Sequence, residues 1–191
     1  MTSKLSAYYY NLGIVEATRN NLTNAANFLQ KSVCYDSTNV NSWNLLGLCF
    51  YRIGKFPMAE YCWTESLKNG DTNHAMYYLD SIGNSEMKEA VSCLSKAIRL
   101  AKCGEYKQSL SILEENKQIP LIKSPQLINY MGILKYLSRN KLAAKADWKK
   151  AAQLDKSDIR PTTYLEYTSE KEDRFFQKLR SILPNIFRKK V

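Results

Sequence analysis

The chain has 191 residues, 45% of them hydrophobic, enough for one sizeable domain or two small ones. Its formal charge of +10 comes from 28 basic and 18 acidic side chains, and it carries one histidine and five cysteines. No run approaches the ~18 apolar residues of a membrane-spanning helix, and a lone histidine argues against most zinc sites and against Ser/His or Cys/His nucleophile pairs.

The start, MTSKLSAYYYNLG, has no apolar core followed by a small-residue cleavage site, so a cytoplasmic protein is expected. The cysteines, at 34, 49, 62, 93 and 103, form no CxxC pair and lie in apolar helical contexts. Buried reduced thiols are expected there, not disulfides or metal ligands. None of GxGxxG, GxxxxGK[ST] or GxSxG occurs. His74 follows the polar cluster GDTN and reads as an exposed residue at a helix start. A chain without catalytic residues, metal or cofactor is the expectation.

Taken in order, the elements repeat. Tyr9, Leu12, Gly13, Glu16, Asn20, Ala25 and Leu29 are followed 34 residues later by Trp43, Leu46, Gly47, Phe50, Gly54, Ala59 and Trp63. A weaker copy runs Cys93, Ala97, Leu100, Gly104, Ser109 and Leu113, and a last one Ile128, Met131, Gly132, Lys135, Asn140, Ala144 and Trp148. In each, an apolar helical stripe ends at Asn20, Gly54, Gly104 or Asn140, residue types that accept the left-handed conformation closing a helix. Pro57 falls in the first turn of a second helix, where its missing N–H costs nothing. Gly47 sits mid-helix, where glycine costs ~1 kcal/mol relative to alanine. A close approach of the paired helix would explain it, with Trp43, Phe50 and Trp63 filling the space around.

The spacing is uneven. Between the second and third copies the chain inserts HAMYYLDSIGNSEMKEA, which starts as another first helix and stops at Gly83-Asn84. A new amphipathic helix is expected from near Ser85, with Met87, Ala90, Val91, Leu94, Ala97, Ile98 and Ala101 on one face. Two modules follow. Residues 1–83 hold two repeats, about 6–39 and 40–73, plus a capping or half-repeat helix. Residues 84–191 hold repeats at about 90–124 and 125–158 and a basic amphipathic C-terminal helix.

W43-x2-L46-G47-x2-F50 with A59-x3-W63 resembles the tetratricopeptide repeat family, as do Y9-x2-L12-G13 with A25-x3-L29 and I128-x2-M131-G132 with A144-x3-W148. The copy at 93–113 lacks Leu-Gly, and polar residues replace the proline that usually closes each repeat. The expected fold is all-α: a solenoid of antiparallel helix pairs, three to four repeats with an irregular helix in the middle and a C-terminal capping helix.

The resemblance implies a non-enzymatic adaptor or scaffold whose first helices line a groove for a partner peptide or helix. Helical geometry turns Tyr10, Asn44, Leu48 and Tyr51, with Arg52 alongside, and Asn129, Ile133 and Tyr136 toward that groove. Such a lining is apolar and aromatic with two asparagines, suited to an extended apolar peptide or an amphipathic helix. It lacks the basic clamp with which some family members hold a C-terminal carboxylate.

The second candidate is the tail, EKEDRFFQKLRSILPNIFRKKV. Residues 125–191 hold 15 Lys/Arg against 7 Asp/Glu, so the positive charge is concentrated there. Arg174, Lys178, Arg180, Arg188, Lys189 and Lys190 flank an apolar stripe. A helix of this kind either packs as a cap or lies on an anionic membrane, and its charge also suits nucleic acid, for which no binding motif is present. The partner expected is another protein or peptide, with no small-molecule substrate; self-association is left open.

Overall fold

The computed structural model describes residues 2–71, 74–83, 85–116, 123–168 and 172–183. Among them are eleven helices and no strand: α1 (Thr2–Thr18), α2 (Leu22–Tyr35), α3 (Val40–Ile53), α4 (Phe56–Lys68), α5 (His74–Gly83), α6 (Ser85–Lys102), α7 (Tyr106–Glu115), α8 (Pro125–Leu137), α9 (Lys141–Leu154), α10 (Ile159–Tyr167) and α11 (Glu172–Ile182). The architecture is an α-solenoid, in which helices pack chiefly on their chain neighbours. The chain divides into two compact units, Met1–Asn84 with Asp155–Asp158, and Ser85–Leu154 with Ile159–Val191.

In the first unit α1 pairs with α2, α3 with α4, and α5 packs on α4. The turns between paired helices are closed by left-handed residues, Asn20 (φ 62°) and Gly54 (φ 101°). The Gly54 and Lys55 amides both donate to the Phe50 carbonyl, satisfying an acceptor that the helix end would otherwise leave open. Pro57 lies in the first turn of α4.

The mid-helix glycines admit the second helix. A Cβ on Gly13 would stand 2.6 Å from Leu29 Cγ, and one on Gly47 would stand 2.7 Å from Trp63 Cδ1. Ala25 and Ala59 are fully buried at the same crossings. The ~1 kcal/mol that such a glycine costs is small beside the several kcal/mol gained by burying an indole. Trp63 donates its Nε1 hydrogen to the Asn44 carbonyl, and Trp43 donates its own to Ser37.

Several buried polar groups inside this unit are paired across elements. Buried Ser32 donates to the Ser6 carbonyl at 2.8 Å and lies within bonding distance of the Ser6 and Ser42 hydroxyls. The Asp71 carboxylate accepts from the His74 and Ala75 amides at the start of α5, from Ser66 Oγ and from Asn44 Nδ2. Asn21, at the N-cap of α2, makes no side-chain cap bond. Instead Thr23 donates its amide and hydroxyl to Asp155, at 3.2 and 2.6 Å, and the Asn24 amide donates to Ser157 Oγ. A distant carboxylate thus does the work of a local cap.

In the second unit α6 pairs with α7, α8 with α9, α10 packs on α9 and α11 on α8. Gly132 faces Trp148 as Gly47 faces Trp63: a Cβ there would stand 2.7 Å from Trp148 Cδ1. In the weaker copy Ala97 and Leu113 are both buried, and Ser109 Oγ donates to the Ala97 carbonyl. Lys135, at the position equivalent to Phe50, is held by Asp147 at 2.7 Å and Glu114 at 3.7 Å.

Four details depart from the sequence expectation. The left-handed residue before α9 is Arg139 (φ 68°), not Asn140, whose side chain instead accepts from the Ala143 amide as a helix start does. Val91 is 49% exposed, at the edge of the α6 stripe. Cys34 and Cys103 are exposed and Cys93 half-buried, leaving only Cys49 and Cys62 in the core. A helix over 159–167 is not expected from the sequence, because two prominent apolar residues, Ile159 and Tyr167, face solvent and blur its stripe.

Candidate partner-binding groove

The first-helix faces differ between the two units. In the first, Tyr10, Leu48 and Tyr51 are partly buried and pack on the core, leaving their outer surfaces accessible. The Tyr51 ring meets Phe56 edge-on at 5.1 Å and lies 6.0 Å from Trp63, so packing locks it in place. Asn44 donates to Asp71, and its Oδ1 is buried without a bond. Arg52 is exposed and donates from Nη2 to Asn20 Oδ1 at 2.9 Å. Tyr10, Leu48 and Tyr51 thus each keep aromatic or aliphatic surface in reach of solvent, and Arg52 an exposed cation.

In the second unit the corresponding face is covered. Asn129, Ile133 and Tyr136 are buried at 0%, 0% and 3% exposure. What covers Tyr136 is α11. Its Phe175 ring meets Tyr136 at 5.2 Å, Trp148 at 6.2 Å and Tyr164 at 5.9 Å, and stacks on Tyr167 at 5.8 Å. Leu179 and Leu183 are also buried. The Asn129 amide has neither its nitrogen nor its oxygen bonded. Tyr164 and Tyr167, which meet Phe175, do not stand out in the repeat pattern of the sequence. Their spacing, Y164-x2-Y167, was the available signal.

Of the basic tail residues, Arg174, Lys178 and Arg180 are exposed, with Lys178 Nζ 4.8 Å above the Tyr167 ring. Arg188, Lys189 and Lys190 lie outside the described residues. Of the apolar stripe that a surface-lying helix would insert into lipid, Phe175, Leu179 and Leu183 are buried in packing.

Burial pushes the Cys49 and Cys62 thiols up to about 12, against which the nearby Arg52 only partly lowers Cys49. Thiols so protonated are poor nucleophiles. His74 stands exposed at the start of α5, its Nδ1 4.0 Å from Asp71 Oδ1. Among the described residues no group of three His, Cys, Asp or Glu could hold a metal ion, and no helix is long and apolar enough to cross a membrane.

No protein-family model and no curated protein matches the sequence. Among solved structures the chain is similar to YrrB, a TPR protein with an unusual peptide-binding site. The two are 14% identical over 93% of this chain and 84% of that one, with a TM-score of 0.37.

Proposed function

We propose that the chain is a tetratricopeptide-type adaptor without enzymatic activity of its own, which holds a peptide or helix of a partner protein on the first-helix face of α1 and α3. The observation that supports this most directly is the half-buried platform of Tyr10, Leu48 and Tyr51. Its side chains are fixed from behind by core packing, and Arg52 is exposed beside them. Rigid aromatic and aliphatic surface of this kind binds at low entropic cost. An extended apolar peptide or an amphipathic helix is the ligand that fits. Five thiols free of disulfides suit a reducing compartment, in keeping with a cytoplasmic adaptor.

The test is selection of binders from a displayed library of random peptides, using the full chain. Selected peptides should remain bound in high salt and be lost with Leu48→Glu, provided the variant keeps its helical circular dichroism. Peptides that bind the folded Leu48→Glu chain as well as the parent would place the interaction elsewhere.

A further inference from the structure

We infer that the α8 face of the second unit is itself a helix-binding seat, that α11 is its built-in occupant, and that the partner it accepts is an amphipathic helix carrying one aromatic and two aliphatic anchors at four-residue spacing. The inference rests on the adaptor reading and adds what the first-helix face of the second unit recognises and how it is regulated.

Three observations carry it. The first concerns coverage. A terminal repeat needs a helix over its last apolar face, and α10 already packs on α9. α11 is therefore not required there, and it packs instead on α8, a first helix, at the end that carries Tyr136.

The second is how α11 binds. Phe175, Leu179 and Leu183 are buried at intervals of four, whereas Arg174, Gln177, Lys178, Arg180 and Ser181 are exposed. One stripe of anchors with a polar remainder is how a helix ligand sits in a groove. Phe175 enters a ring of aromatic side chains from α8, α9 and α10, namely Tyr136, Trp148, Tyr164 and Tyr167.

The third is connection. α10 ends at Tyr167 and α11 begins at Glu172, so this helix is tethered beside its seat, which gives it an effective concentration in the millimolar range. A free helix of the same apolar pattern must outbind that tethered copy, and it gains the seat where α11 is weakened.

The experiment uses the full chain and a fluorescent peptide of residues 172–183, EDRFFQKLRSIL, followed by anisotropy. Wild type should bind it weakly, because its own α11 holds the seat. Phe175→Ala/Leu179→Ala, which weakens the internal occupant, should bind at least tenfold more tightly. Leu183→Ala, a single truncation just past the end of α11, should move affinity the same way if the double variant does not fold. Equal or absent binding by the folded variants would show α11 to be a fixed structural element, overturning the proposal. So would a wild-type chain that runs as a dimer with α11 exchanged between copies. Tighter binding that is abolished by Leu48→Glu would assign the peptide to the first unit; that outcome sinks the α8 seat and leaves the adaptor reading standing.

Discussion

The indole of Trp63 lies against the backbone of Gly47, its Cδ1 2.7 Å from where a Cβ on that residue would be. The same relation holds sixteen residues apart between Gly132 and Trp148. Neither indole can yield, because both are fully buried and hydrogen-bonded to the first helix through Nε1.

Gly47→Ala and Gly132→Ala are therefore expected to destabilise by about 1–3 kcal/mol or more, despite alanine's better helix propensity. Gly83→Ala is the control, since nothing stands within 4 Å of its Cβ position. It should be neutral or gain up to ~1 kcal/mol. Urea denaturation of the three variants checks the signs.

The cysteines should separate by reaction rate. At pH 8 a thiol reagent should label exposed Cys34 and Cys103 in the folded chain, Cys93 more slowly, and Cys49 and Cys62 only on unfolding. Peptide mapping after a timed pulse reads this directly. Early labelling of Cys62 would mean that α4 opens locally.

Stability should fall in alkali. Below pH 9 both states keep the Cys49 and Cys62 protons, so these groups add no pH dependence. Above the ordinary thiol value of 9.0 the unfolded thiols ionise, while the folded ones hold their protons to about 12. Stability is thus lost as pH rises from 9 toward 12, and burial raises Tyr130 in the same sense. Melting temperatures across this range should drop more steeply for the parent than for Cys49→Ala/Cys62→Ala, which starts lower because of its cavities.

Two aspartates make a matched pair. Asp36 and Asp155 each close a turn after a second helix, through Thr38 and Ser157. Only Asp155 also receives the Thr23 amide and hydroxyl at the start of α2. Asp155→Ala should cost about 1–2 kcal/mol and Asp36→Ala well under ~1 kcal/mol. Hydrogen exchange of the Thr23 amide should quicken in the first variant alone.

What could be read beforehand follows the physics of the repeat. Glycine, alanine and tryptophan at fixed spacing announce helix crossings, because backbone approach and side-chain volume are local properties of the chain. Gly47, Ala59, Trp63, Ala144 and Trp148 all stand where that spacing requires. Even the weak copy was legible through Ala97, Ser109 and Leu113. Arg139 was not, since its left-handed backbone is imposed by the turn and not favoured by its side chain. The covering of Tyr136 was not legible either. Whether a helical stripe such as Phe175, Leu179 and Leu183 meets its own chain or a partner depends on tertiary distance, which periodicity does not encode.

Trp63 stacks on Tyr78 at 4.8 Å in the first unit, and Trp148 packs on Tyr136 and Tyr164 at 5.7 and 5.5 Å in the second. Each wedge is therefore also a fluorophore with tyrosine donors at energy-transfer distance. A chain keeping only Trp63 would report the melting of one module, and a chain keeping only Trp148 that of the other. The residues that hold the helix pairs together supply the optical means of watching each module come apart.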